Sequence, residues 1–321
     1  MADKVDQQVI DTFRRSSLLL DMLTFDNSIS PGTGGSTLAY GYIQLKTPST
    51  AAVRALNTEY TAGEAKREEK TAKAVIMGGS FEVDRVLQNT SGAVDELAFQ
   101  AQQKIKATAN YFHNLVINGT SASSGTGYVV NTFDGLRKAL TGTSNDFTTD
   151  IDLSDSTKLD SNANAFVDQL DQLTHMVDGG ASLLLMNTAM LLKVRAAARR
   201  AGYYDRKKDD FGRAVEYFGD IPIMDAGMYY NGTKSVDVID TSTPSATAAG
   251  TSSIYAVNIA LDGFHGISPT GTGVINSYMP DLKAPGAVKK GEVELVAGVV
   301  LKNTLKAAAL NGIALKAKTS V

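Results

Sequence analysis

Three histidines, His113, His175 and His265, are the side chains best suited to proton transfer or metal binding near neutral pH. They lie far apart in the sequence, without the paired spacing of a ligand site, and read as packing or surface residues. With no cysteine, the chain has no thiolate nucleophile, no thiolate metal ligand and no disulfide. The stretch GTGGST at 32–37 has glycines but lacks the lysine and spacing of a phosphate loop. GISPTGTG at 266–273 leads into a strand pattern, so it offers an anion no helix N-terminus. There is no G-x-S-x-G elbow. The carboxylate pairs Asp209–Asp210 and Glu68–Glu69 sit in charged loop sequence, where adjacency alone does not make a catalytic dyad. Arg195, Arg199, Arg200, Arg206, Lys207 and Lys208 form the densest positive cluster, read either as a solvated helix face or as a contact for nucleic acid or an acidic neighbour. This search yields no catalytic, cofactor-binding or metal site.

One charged group remains. Glu59, Glu64, Lys66, Arg67, Glu68, Glu69 and Lys70 crowd around Gly63 in sequence with little apolar material for a core of its own. Mixed signs at this density suit a contact with another subunit, where opposite charges can find partners. These seven residues are the expected interface.

The elements around them are legible. Asn89–Gly119 reads as one long helix: Val94, Ala98, Ala101, Ile105, Ala109, Phe112 and Val116 recur at three- and four-residue steps. Thr90 and Ser91 are its expected caps, Asp95 and Glu96 suit its N-terminal dipole, and Gly119 ends it. Residues 4–24 read as an amphipathic helix with a greasy end, tethered by FDNSISPGTGGST and able to pack at home or on another subunit. LAYGYIQLKT alternates Tyr40, Tyr42 and Gln44 with Gly41, Ile43 and Leu45, which is a strand, and a second strand is expected across 71–87. Together with the charged stretch they make a long hairpin excursion.

After the long helix come a short helix at about 132–141, a loop through 142–163, a helix through Ala165, Phe166, Leu170, Leu173 and Val177, the buried strand SLLLMN and the helix TAMLLKVRAAARR. Strands are expected at VEYF, IPIMDA, SVDVIDT, IYAVNIAL and GVINSYM, with loops at PSATAAGTSS and up to Gly273. The last block, EVELVAGVVLKNTLKAAALNGIAL, reads as a long curved hairpin or a pair of strands.

At 321 residues the chain can form two domains. A net charge of −3 gives no electrostatic footprint for gripping nucleic acid, though enclosing it would need none. No run approaches the roughly 18–20 apolar residues of a membrane span, and the opening is not a signal peptide, so cytoplasmic synthesis is expected.

The order of these parts, with TFDGLRKAL, SLLLMNTAMLLKVRAAARRAGYYD, FGDIPIMDAG and VELVAGVVLKNTLKAAALNGI, resembles the tailed-phage major capsid proteins of the Hong Kong 97-type fold. The resemblance implies an α+β fold with an N-terminal arm at 1–39 and an extended loop at 46–74. A peripheral domain with a long spine helix would comprise 40–45, 75–125 and 276–308, and an axial α/β domain 126–275 and 309–321. It implies no enzyme but a virion shell protein, assembling in the host cytoplasm with copies of itself in hexamers and pentamers around double-stranded DNA, with a portal protein and no membrane. No long helical scaffolding segment precedes the arm, so a separate scaffolding protein is expected. An encapsulin-type nanocompartment shell and a cytoplasmic α/β enzyme are the alternatives.

Overall fold

In the computed structural model the described residues are 17–28, 38–47, 49–90, 96–202, 205–208, 214–241, 243, 248–269 and 274–317. In chain order the elements are α1 (Leu18–Met22), β1 (Phe25–Ser28), β2 (Ala39–Thr47), β3 (Lys66–Lys73), β4 (Val75–Asp84), α2 (Arg85–Thr90) and α3 (Glu96–Asn118). Then follow α4 (Leu136–Leu140), β5 (Asp146–Thr148), α5 (Ser156–His175), β6 (Leu183–Met186), α6 (Thr188–Arg200), β7 (Asp205–Lys208), β8 (Ala214–Phe218), β9 (Ile221–Asp225), β10 (Met228–Tyr230) and β11 (Ser235–Asp237). The chain continues with β12 (Ala248–Val257), β13 (Phe264–Pro269), β14 (Ile275–Tyr278), β15 (Val288–Leu301), a 3-10 turn at Thr304–Lys306 and β16 (Ala307–Ala317).

One sheet runs β1-β13-β15-β14, with β4 also pairing along β15; a second runs β5-β16-β12-β6-β9-β8-β7. Its central strands β6, β12 and β16 are buried on both faces over most of their length, which is why β6 is apolar without alternation. Leu183 and Leu185 of β6, Tyr255 and Val257 of β12, and Ala307 and Ala309 of β16 join the core around α3. Their neighbours Leu184, Met186, Ile254, Ala256, Ala308 and Leu310 join the core under α5 and α6. Period-two strands thus divide one layer between two cores.

The long helix α3 spans about 34 Å at 1.5 Å per residue. Its burial differs from a single stripe. Ala101, Ile105, Thr108 and Ala109 are buried on one face, but Ala98 is exposed, and every residue from Phe112 to Ile117 is buried. The helix packs against β4, β10, β15 and α4, with Tyr111 near its end lying against Tyr229 of β10. Val94, Ser91 and Asp95, and the side chain of Thr90, lie outside the described residues, as do 4–16, 32–37, 209–210 and 270–273.

Several expectations are corrected. The strand expected across 71–87 is the end of β3, the single residue Ala74 and then β4, which stops at Asp84. There the Asp84 carboxylate accepts a 2.7 Å hydrogen bond from the Val86 amide and α2 begins. The first part of the tether, Phe25–Ser28, is strand β1, parallel to β13. The loop expected through 163 ends at Asp155, whose carboxylate caps α5 by accepting from the Lys158 amide. Leu159 and Ala163 extend the buried spacing of Phe166, Leu170 and Leu173, a pattern hidden among Ser, Asn and Asp. AAGTSS lies in β12, where pairing with β16 overrides its weak strand propensity. SVDVIDT contributes only the three residues of β11, paired with β10. Part of the Gly-rich stretch before residue 273 is buried strand β13: a Cβ on Gly266 would lie 2.5 Å from the Phe25 ring, so this glycine admits a neighbour rather than a turn. The closing strands are not a hairpin, since β15 and β16 join different sheets.

Candidate assembly surface

β2 and β3 pair antiparallel from Ala39↔Lys73 to Thr47↔Lys66, with an irregularity between Leu45 and Thr47. Alternation turns Tyr40, Tyr42 and Gln44 towards the body, where Tyr40 packs with Ala74, Ile267 and Val300. The opposite face is bare: Ile43 is 63% and Leu45 60% exposed. Residues 49–65 link the strands without helix or strand, and there Val53 is 100% and Leu56 90% exposed. This link has local structure. Thr58 donates from its hydroxyl to the Ala55 carbonyl at 2.8 Å, and Asn57 takes a left-handed φ of 65°. Arg54 donates to the Thr58 carbonyl at 3.0 Å and lies 5.4 Å from the Tyr60 ring centre.

Of the seven residues expected at the interface, Glu59 and Glu64 lie in the link, and Lys66, Arg67, Glu68, Glu69 and Lys70 lie on β3. All seven are exposed. Arg67 and Glu69 stand opposite Leu45 and Ile43 in the ladder, while Glu68 and Lys70 stand opposite Gln44 and Tyr42. β3 therefore puts charges on both faces of the hairpin. Glu68 and Lys70, with Ile43, Leu45, Lys302 and Leu305, line a groove of about 570 Å³ between the hairpin and the turn after β15. Charge counting overlooked the apolar residues Ile43, Leu45, Val53, Leu56 and Tyr60. A signal was available in the alternation of β2, which gives two apolar faces to a strand able to bury only one.

The histidines behave as structural residues. His113 is buried on α3, with Nε2 2.6 Å from the Ser17 hydroxyl, while the Ala226 carbonyl takes a hydrogen bond from the ring. Burial lowers its pKa to about 4. Ser17 is also the N-cap of α1, accepting from the Leu20 amide, and Leu19, Leu20 and Leu23 are buried in the core around α3. Residues 17–28 of the arm therefore dock on their own chain. His265 is buried on β13 with its pKa lowered, first by burial and then by Lys302. His175, at the end of α5, bonds the Asp171 carbonyl at 2.8 Å.

Two members of the basic cluster are held internally. The Arg195 guanidinium grips the buried Glu216 carboxylate with both Nε and Nη2, and Arg200 pairs with Asp160. Arg199 is exposed, and the side chains of Arg206, Lys207 and Lys208 lie outside the described residues. Among the described residues no cluster of His, Asp and Glu could hold a metal ion, and no helix is long and apolar enough to cross a membrane.

Residues 4–245 match the family model of the SU10 major capsid protein. The chain belongs to that family. Its role is structural, as a subunit of a capsid shell built from copies of itself. The fold is of the Hong Kong 97 type, and likeness in fold extends beyond sequence similarity. An encapsulin from Synechococcus elongatus PCC 7942 aligns with a TM-score of 0.61 at 13% identity, over 94% of this chain and 89% of that one. A chain of Mycobacterium phage Bobi aligns at 0.54 and 13% identity, over 92% and 89%. The capsid of Myoviridae phage XM1 aligns at 0.53 and 13% identity, over 92% and 91%. No curated protein matches the chain.

Proposed function

We propose that the protein forms hexamers and pentamers that close into the icosahedral shell of a tailed phage around double-stranded DNA, and that the β2–β3 hairpin lies across a neighbouring copy. The observation that carries this reading is an ordered hairpin whose outer face and link expose both charges and large apolar side chains on a single chain. Each fully buried Leu, Ile or Val side chain contributes about 1.5–3 kcal/mol, whereas an exposed ion pair contributes about 0.2–1 kcal/mol. Ile43, Leu45, Val53 and Leu56 therefore supply most of the attachment, and Glu59, Glu64, Lys66, Arg67, Glu68, Glu69 and Lys70 set its register. Symmetry repeats each contact at every subunit.

The division into domains follows the sheets. The arm is 1–39, the extended loop 46–74, the peripheral domain the sheet of β4, β14 and β15 with α3, and the axial domain the seven-stranded sheet with α5 and α6. β13, which falls within the proposed axial range of 126–275, pairs with β15. A portal protein and a separate scaffolding protein are the further partners, and the virion, assembled in the host cytoplasm, is the location. The nanocompartment reading has only the shared fold behind it, while membership of a major capsid protein family favours the phage shell.

Electron microscopy of the expressed protein, with and without a co-expressed scaffolding protein, tests this: shells or capsomers are expected, and a protein that stays monomeric under both conditions overturns it. Replacing Arg67, Glu68 and Glu69 together by Ala is expected to leave the circular dichroism of the chain unchanged while lowering shell yield relative to the unsubstituted chain, most at low salt, where the ion pairs are least screened. Unchanged yield and thermal stability of the particles would remove these charges from the interface.

A further inference from the structure

Four elements meet at the root of the hairpin. Asp26 on β1 accepts a 2.7 Å hydrogen bond at Oδ2 from the Tyr40 hydroxyl on β2. Lys302, just after β15, places Nζ 3.9 Å from that oxygen and 5.2 Å from the centre of the Tyr40 ring. The Lys302 carbonyl accepts a 3.0 Å bond from Gln44 Nε2, so one body residue holds the hairpin at two positions of the same face. Beneath lies His265, its ring edge-on to Tyr40 at 5.8 Å, with Nε2 lacking a hydrogen-bond partner among the described residues.

The joint is electrostatically matched. Burial alone would raise the Asp26 carboxyl, but the Tyr40 hydroxyl, the Asn27 amide and Lys302 outweigh it and hold the group below the usual carboxylate value. Burial and the Asp26 carboxylate both push the Tyr40 hydroxyl upward, so it remains a proton donor. Asp26 therefore stays an anion facing a cation and a fixed donor, the stronger class of hydrogen bond.

The ladder of β1 is short, four residues paired with β13. A strand of that length at a sheet edge is weakly held by its backbone alone. Its one charged side chain in the joint is bonded not to β13 but to the hairpin. We propose that β1 and the root of the hairpin open and close as one unit, so that displacing the hairpin strips β1 from β13 and a pull on the arm loosens the hairpin. This coupling belongs to the single chain and holds whether or not the hairpin lies on a neighbour.

Amide hydrogen exchange on the unassembled full chain tests the coupling. Removing a hydrogen bond to a charged group is expected to raise local opening roughly tenfold or more. Tyr40→Phe, which keeps the ring, is expected to speed exchange in residues 25–28, and Asp26→Asn to speed it in 39–47 and 66–73 by a similar factor, because coupling between two sites is reciprocal. Tyr42→Phe, whose hydroxyl lies outside the joint, is the control and is expected to leave 25–28 unchanged. The proposal is overturned if Tyr40→Phe leaves 25–28 unchanged, if Asp26→Asn leaves the hairpin unchanged, or if Tyr42→Phe acts like Tyr40→Phe. Should Asp26→Asn not fold, Lys302→Met asks the same question from the body side and must speed both segments together; an effect on one alone overturns the proposal equally.

Discussion

Acid is expected to unlatch the arm through His113. The buried ring has Nε2 2.6 Å from the Ser17 hydroxyl and hydrogen-bonds the Ala226 backbone, joining the arm, α3 and the end of β9. Buried in an apolar core, it resists protonation until about pH 4, whereas the unfolded ring takes its proton at about 6.5. Between these values the unfolded chain binds more protons, so stability falls as pH falls. The contribution is present in full above pH 6.5 and is lost progressively as pH drops towards 4. At 1.36 kcal/mol per pH unit the whole loss is about 3 kcal/mol, most of it reached by pH 4.5. Urea unfolding followed by circular dichroism at pH 7.5 and 4.5, for the native chain and for His113→Gln, measures it. Carboxylates titrate in both proteins, so their effect cancels in the comparison. The native chain is expected to lose about 2–3 kcal/mol more than the variant over that interval. Equal losses in the two proteins would refute the burial argument.

Substitutions at two further sites test packing and polar satisfaction. A Cβ on Gly291 would lie 2.4 Å from the Phe81 ring across the β15–β4 ladder, so Gly291→Ala is expected to cost about 1–3 kcal/mol, seen as a lowered melting temperature. Adding Phe81→Leu should recover part of the loss; no recovery would mean that the clash is not the cause. Asn145 is buried, with Nδ2 3.0 Å from the Ala307 carbonyl and 3.2 Å from that of Met176, so it ties the start of β16 to the end of α5. Asn145→Ala leaves these carbonyls without their donor and is expected to cost about 1–3 kcal/mol in denaturant unfolding, while Asn145→Asp at neutral pH should cost more, since a carboxylate cannot donate.

The sequence by itself determined the elements with a strong local period. The apolar strand β6, helix α6 and strand β2 stand where spacing alone put them, and α3 takes up residues 96–118 of the longer helix expected at 89–119, because a helical period or a continuous apolar run is written in consecutive residues. The order of parts was enough to recognise the capsid fold. What spacing could not decide was which partner each strand takes. β13 and the start of β12 looked like loop from their Gly, Ala and Ser content, and became strands because β1, β15 and β16 lie beside them. β15 and β16 adjoin in sequence yet enter different sheets: β15 packs on the core around α3, whereas β16 divides its alternate residues between that core and the one under α5 and α6. The assembly surface divides in the same way. Its charges were visible as composition, but β2 offers Tyr40 and Tyr42 on one side and Ile43 and Leu45 on the other, and both sides are apolar. Only the body of the fold, by taking Tyr40 against Ile267 and Val300 and bonding its hydroxyl to Asp26, decided which side was left bare.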